Sequence, residues 1–567
     1  MAEIILTPFL QVIIEKLAHS ALQKIADLWE PEDRFKKLQS VLPMAQAVIQ
    51  DAEERQMTDK AVRIWLRRLR DAAWKADDLL EEFMYHRTNY NCTNRYNINF
   101  INSRNILDFC QKKSHILDDL HKAVVEGINL TLVGSKIMDK QFEMRETSSF
   151  FIGSEVCGRE EEKREILEKL LMPSVGIQST GLEKGLAQMN LGQVYHASIV
   201  SDYGSFTIPE TLHQAKHLRT LLIFSEGGFQ TVPSDIFSSF IYLRMLILSG
   251  SLVKLPESIG KLSILKSLDL SNSHFDELLS ALSSLCLLET LNLFGCYNLK
   301  RLPSMRKITG LRHLNISGCE ALMEMPDGID KLVQLQTLPI YIVPIPLRNC
   351  VLLEGITGLK GLNLRGELKI KHLERVHDVE EAKGLNLLDK EYLQSLGLCW
   401  GNAGSDFIMN PFLESNAARF QQRKPHESGP SEDPEPSYPT VSNLGLSSDV
   451  LAFLQPHKNL KKLFIVGYPG IKFAEWTLPN LTDVVLINCG GCLHLPILGH
   501  LPLLRSLRME GIKSIIYIGQ EICGEDVEVS FPSLQELFMR DFPVLEEWHL
   551  ELRRCNTISL NCMEDLM

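Results

Sequence analysis

The chain has 567 residues, 45% hydrophobic and 23% charged, the balance of a folded protein long enough for several domains. A formal net charge of −12 excludes the overall basic character of a general nucleic-acid binder. No stretch offers the roughly eighteen uninterrupted apolar residues of a membrane span, and the apolar start Ile4-Ile5-Leu6 is soon broken by Pro8, Glu15 and Lys16, unlike a secretory leader.

Residues 1–130 are predicted to be helical. An apolar stripe at spacings of three and four runs Leu10, Ile14, Leu17, Ala21, Ile25 and Leu28, and Pro31 ends it. A second stripe carries Phe35, Leu38, Leu42, Ala45 and Ile49. A third carries Trp65, Leu69, Ala73, Ala76, Leu80 and Phe83, with Thr58 or Asp59 placed to cap it. A fourth, weaker helix is expected from about Ser114 to Glu126. Each is apolar on one side only, so the expectation is a four-helix bundle, with Trp65, Trp74 and Phe83 in its core. The Asn-rich stretch 86–105 reads as a loop.

Residues 131–192 read as a linker with a short charged helix from Arg159 to about Leu171, then a junction without period. From 193 to 400 a repeat takes over. Blocks of the form L-x-x-L-x-L begin at Leu218, Leu243, Leu265, Leu288, Leu311 and Leu335, which is 22 to 25 residues apart. That period is the mark of leucine-rich repeats, short parallel strands stacked into a solenoid whose use is binding. Residues 401–442, with Ser428-Gly-Pro-Ser-Glu-Asp-Pro-Glu-Pro at their centre, have the composition of a disordered insertion. Repeats resume over 443–550, and 551–567 is expected to be an irregular tail. The fold class is therefore α plus an α/β solenoid: a four-helix bundle followed by a leucine-rich-repeat horseshoe.

Within a repeat the leucines point inward and the residues between them face the concave side. Position three reads Thr220, Met245, Ser267, Thr290, His313 and Thr337; position five reads Leu222, Ile247, Asp269, Asn292, Asn315 and Pro339. This mixed face suits a protein partner. Catalytic motifs are missing: the sequence has no H-E-x-x-H, no G-x-S-x-G and no paired C-x-x-C. Zinc at Cys489-x-x-Cys492 would need a second pair at matching spacing, so Cys296, Cys319 and Cys489 read as buried thiols serving turns. The 13 cysteines are odd in number and scattered, as in a reduced cytoplasmic protein. No metal, cofactor or catalytic residue is predicted.

The segment from Val62 through Ile64-Trp65-Leu66 to Asp77-Asp78-Leu-Leu-Glu81-Glu82-Phe83 resembles the coiled-coil domain of plant intracellular disease-resistance receptors, the coiled-coil NB-ARC leucine-rich-repeat (NLR) family. Val156-Cys-Gly-Arg159-Glu-Glu-Glu-Lys resembles the entry to that family's nucleotide-binding domain. Pro256-Glu-Ser-Ile-Gly-Lys-Leu262 and Gly366-Glu-Leu-Lys-Ile-Lys-His-Leu-Glu-Arg375 are similar to its repeats. The resemblance implies immune recognition and an ADP/ATP switch. The phosphate-binding loop G-x-x-x-x-G-K-[ST] is nevertheless absent from this sequence, with only a faint echo at Gly181-Leu-Glu-Lys-Gly185. About twenty residues stand where the family carries its nucleotide-binding domain, so no nucleotide is expected.

The resemblance also implies that the acidic cluster Asp77, Asp78, Glu81 and Glu82 docks onto basic residues of the repeats. The position-two series Arg219, Arg244, Lys266 and Arg312, interrupted by Glu289, is the expected receiving ladder. Expected partners are a pathogen effector, a guarded host protein or a full-length relative. The same resemblance would have the first helix enter a membrane only in an activated state; bundle packing is the reading preferred here. The competing account is a non-functional fragment or splice variant of a nucleotide-switched resistance protein.

Overall fold

A computed structural model describes residues 59–93, 115–127, 176–178, 194–201, 210–225, 236–250, 254–345, 356–376, 378–401, 450–523, 530–549 and 557–560, with isolated positions before residue 59 and at 232 and 252. Residues 402–442 of the 401–442 insertion, the charged helix 159–171 and most of helices one and two lie outside the described residues.

Helix α1 spans Lys60–Thr93, 34 residues, a rod of about 51 Å. Asp59 caps it, its Oδ1 accepting from the amides of Ala61 (2.8 Å) and Val62 (3.3 Å). The helix runs through 86–93, where a loop was expected. Those residues are polar, but no Gly or Pro interrupts the chain between Lys60 and Thr93, and polarity alone does not end a helix. Helix α2 covers residues 115–127. The indole Nε1 of Trp65 donates to the Ala123 carbonyl at 2.7 Å and ties the two together. Leu69, Ala73, Ala76 and Leu80 of α1 meet Leu117, Leu120 and Val124 of α2 in one cluster, which also takes in Ile13, Leu42, Ile49 and Ala52.

The repeats form a parallel solenoid. Its first sheet has seven strands in sequence order: β1 Gly176–Gln178, β2 His196–Ser201, β3 Thr220–Ser225, β4 Met245–Ser249, β5 Ser267–Asp269, β6 Thr290–Asn292 and β7 His313–Asn315. The second sheet contains β8 Ile340–Ile342, β9 Gly366–Lys371, β10 Leu393–Cys399, β11 Lys462–Val466, β12 Asp483–Ile487, β13 Ser506–Glu510, β15 Glu536–Arg540 and β17 Thr557–Leu560; β14 Tyr517–Ile518 and β16 Glu547–Trp548 pair separately. On the opposite side single 3-10 turns return the chain, for example Glu257–Lys261 and Ser280–Ser284.

The register matches the leucine spacing. Thr220, Met245, Ser267, Thr290 and His313 are successive Cα partners, and His313 bridges Thr337. The opening leucines Leu218, Leu243, Leu265, Leu288, Leu311 and Leu335 are all 0% exposed; each contributes about 1.5–3 kcal/mol by burial. One apolar cluster runs unbroken from Ala197 to Phe542.

Two expectations are corrected, and a division of the solenoid is added. The junction supplies a strand, β1, with Ile177 in register with Ile199, so the solenoid begins before residue 193. The tail 551–567 is not wholly irregular: Ile558 and Leu560 fall in register with Leu537 and Met539 and add β17 as an edge strand. The solenoid also divides into two sheets near Pro339. The amide of Thr337 donates to Arg312, and the next donor in a parallel ladder would be residue 339, where proline has no N–H.

Candidate interaction surface

Position two of each repeat forms a stacked ladder. The amide of Arg219 donates to the carbonyl of Tyr195, Arg244 to Arg219, Lys266 to Arg244, Glu289 to Lys266, Arg312 to Glu289 and Gln336 to Arg312. Consecutive rungs therefore lie about 4.8 Å apart. Helix α1 lies against the first rungs of this ladder.

Trp74, Asp77 and Asp78 project from one face of α1, as residues three and four apart must. Arg219 Nη2 donates to Asp78 Oδ2 at 2.7 Å and to the Trp74 carbonyl, and its Nη1 is 3.7 Å from Asp77 Oδ2. Arg244 donates to Asp77 Oδ2 through Nη1 and to Asp78 Oδ1 through Nη2, the latter at 2.8 Å. Asp77 is 0%, Arg219 5% and Asp78 7% exposed, while Arg244 is half-buried at the edge, so two carboxylates and two guanidinia compensate one another largely away from water. Burial raises the Asp78 pKa above the usual carboxylate value, against the pull of Arg219 and Arg244. Burial likewise lowers that of Arg219, against the pull of Asp78.

Aromatic rings close around this tetrad. The Trp74 indole meets the Tyr195 ring edge-on, with centroids 4.0 Å apart, and His196 at 5.8 Å. The Arg219 guanidinium sits 5.0 Å from the Trp74 centroid and 5.7 Å from that of Tyr195. His196 is pulled down to about 4, by burial first and by Arg219 second. Tyr195 is raised by burial and by Asp71.

The predicted site residues thus divide. Asp77, Asp78, Arg219 and Arg244 come together. Lys266, one rung on, has its ammonium 3.2 Å from Glu289. Arg312 is exposed and stands three rungs past Arg244, about 14 Å along the sheet and beyond the reach of an aspartate. The side chains of Glu81 and Glu82 lie outside the described residues, as does that of Phe83. Trp74 corrects the sequence reading: it is buried, but against Tyr195 and His196 and not in the bundle core, which holds Trp65. Its spacing from Asp77 and Asp78 was the available signal.

The remaining polar features are structural. Asn292 Nδ2 donates to Asp269 Oδ2 at 2.8 Å, while Asp269 and Asn292 also accept from the amides of Ser271 and Phe294 to hold the turns after their strands. The thiols of Cys296 and Cys319 donate to the carbonyls of Leu270 and Leu293 one coil earlier. Those of Cys489 and Cys492 donate to Ile465 and Gly470. Burial pushes the Cys296 pKa to about 11 and those of Cys319 and Cys489 to about 12, so these sulfurs stay neutral donors. Among the described residues no group of three or more His, Cys, Asp or Glu is placed to hold a metal ion, and no helix is long and apolar enough to cross a membrane.

Residues 9–114 match the Rx N-terminal domain, 217–419 a leucine-rich repeat region, and 435–512 the R13L1/DRL21 leucine-rich repeats. Disease resistance protein RGA2 of Solanum bulbocastanum is 32% identical over 198 residues, 33% of this chain and 17% of that protein. Putative disease resistance RPP13-like protein 1 of Arabidopsis thaliana is 30% identical over 206 residues, 34% of this chain and 17% of that protein. Putative disease resistance protein RGA4 of Solanum bulbocastanum is 34% identical over 244 residues, 39% of this chain and 20% of that protein. The chain spans a fifth or less of the length of these relatives. Among solved structures, an internalin of Listeria monocytogenes aligns with 67% of this chain and 93% of its own at a TM-score of 0.41 and 14% identity. A leucine-rich-repeat protein of Leptospira interrogans aligns with 68% of this chain and 88% of its own at a TM-score of 0.38 and 18% identity. The matched N-terminal domain, the two repeat models and the relatives' names together support a plant NLR-type resistance protein with leucine-rich repeats.

Proposed function

We propose that this protein serves plant defence by protein recognition, with its N-terminal helices held against the first repeats and the remaining concave face left for a partner. The observation that carries this reading is the largely buried tetrad of Asp77, Asp78, Arg219 and Arg244. Exposed ion pairs contribute only about 0–1 kcal/mol each, whereas breaking one side of a buried pair costs about 3–5 kcal/mol. That figure is the cost of removing one partner and leaving the other charge buried, so it measures how specific the contact is; the matched partners restrain the helices until a competing contact replaces them. The helices close as a four-helix bundle in the cytoplasm. The partner is an effector, a guarded host protein or a full-length relative.

The reading includes neither catalysis nor a nucleotide switch, because the sequence contains no G-x-x-x-x-G-K-[ST] to cradle phosphate and magnesium. Equilibrium dialysis of the purified chain against ATP and Mg²⁺ tests that part: no retained nucleotide is expected, and tight magnesium-dependent binding contradicts it. Transient expression in leaves tests the rest. Asp78→Lys, at matched protein level, should change the defence-linked cell death produced together with a full-length relative. A response identical with and without the substitution contradicts a restraining contact.

A second reading is favoured by one feature: the matched N-terminal domain ends at 114 and the matched repeats begin at 217, a short interval for a nucleotide-binding domain. The chain is then a fragment or splice product of a switched receptor. Genomic sequence between the codons for Leu171 and Gln193 decides it. An intron or exon there encoding G-x-x-x-x-G-K-T supports removal of the domain; an uninterrupted reading frame contradicts it.

A further inference from the structure

We propose that the docking surface selects a guanidinium, not merely a positive charge, and that Trp74 and Tyr195 are the residues that impose this choice. The inference rests on the docked reading above and adds the specificity of its central contact.

Tyr195 occupies the rung just before Arg219. Its carbonyl accepts the amides of Arg219 (2.6 Å) and Thr220 (3.2 Å), so the backbone fixes where its ring stands. Trp74 approaches from α1 and meets that ring at 4.0 Å. Beside this ring pair lies the flat guanidinium of Arg219, within 6 Å of both centroids, the range in which a ring face attracts a cation. Its edge is used as fully as its face. One nitrogen donates to both the Asp78 carboxylate and the Trp74 carbonyl, and the other approaches Asp77. Arg70 stands 5.4 Å from the same indole, so the ring lies close to two guanidinia.

A lysine ammonium satisfies only part of this. It carries the same charge but has no planar face to set against a ring, and its donors do not form the fork that spans two carboxylates and a carbonyl. It is also more strongly hydrated, so it resists entry to a site where Arg219 is 5% exposed. The cage also predicts salt resistance. Exposed charges separated by more than about 8 Å are screened at physiological ionic strength, buried ones much less.

Hydrogen exchange of the full chain tests the proposal, read over residues 70–80 and 195–200, with protection in β9 to β13 reporting that each variant remains folded. Asp78→Lys should raise exchange in both windows, which supports the docked reading; unchanged exchange overturns that reading and this one with it. Arg219→Lys, with charge retained, should raise exchange in the same windows by about tenfold or more. Tyr195→Ala should do the same and Tyr195→Phe should not, because the phenyl ring preserves the cage. If Asp78→Lys opens the contact while Arg219→Lys and Tyr195→Ala leave it as protected as the parent, the docking stands on charge alone and the cage is wrong.

Discussion

His196 is one residue through which acidity should reach the contact. It lies beside Trp74, and its docked value of about 4 stands below the free value of about 6.5. Undocking removes the cover that Trp74 gives the ring, so the undocked chain binds the proton first. Stabilisation from the neutral imidazole is complete above about pH 6.5 and falls as pH drops toward 4, at up to about 1.4 kcal/mol per unit. Asp78 acts in the opposite sense at the acid end, since burial raises its value and the docked form takes up that proton more readily. Between pH 7 and 5 exchange protection over residues 70–80 should decline after correction for intrinsic rates, and His196→Asn should flatten the decline. An equal decline in both proteins removes His196 from the account. At this scale the sequence carried the charges but not the rings. Asp77, Asp78, Arg219 and Arg244 declare themselves by type and spacing. A tryptophan on a helix reads equally as core or contact, and only the position of Tyr195 decides between them.

Elements were legible where a period is strict and obscured where one residue or one neighbour decides. The repeats announced their register because a leucine every two or three positions permits only one face to be buried. Pro339 ended a sheet through a missing donor, which a list of position-five residues does not reveal. Strand β17 hides among polar residues, with Ile558 and Leu560 the whole of its apolar pattern. Helix packing depends on closer detail still. A Cβ added to Gly127 in α2 would sit 1.8 Å from the Trp65 ring, so Gly127→Ala should push α2 away from α1 and cost about 1–3 kcal/mol, seen as a lower urea midpoint. A midpoint equal to the parent's contradicts this packing of α1 on α2. Gly328 offers the matching case in the repeats. Its φ is +85°, and a Cβ there would meet the Arg306 backbone nitrogen at 2.8 Å. Gly328→Ala should destabilise the solenoid by a similar amount, and unchanged stability contradicts the turn geometry.

The described residues join two large cores of different origin, beside a small cluster around Val485. One is a helical cluster that buries Trp65; the other is a single apolar column running the length of the repeats. In a solenoid each repeat contacts mainly its nearest neighbours, and the stack presents an extended surface suited to binding. The N-terminal end of this one is occupied by its own helix α1. That arrangement follows from sequence only when two distant stretches are considered together, since Asp78 and Arg219 are separated by 141 residues. The central claim is that this contact holds the protein in its resting form, and a charge exchange tests it most directly. Hydrogen exchange over residues 70–80 would be measured in the full chain for Asp78→Arg, for Arg219→Asp and for both together. The account predicts that each single change deprotects the segment, by about a hundredfold for a loss of about 3 kcal/mol, and that the double change restores part of the protection. Single variants as protected as the parent, or a double variant no better than either single one, would contradict it.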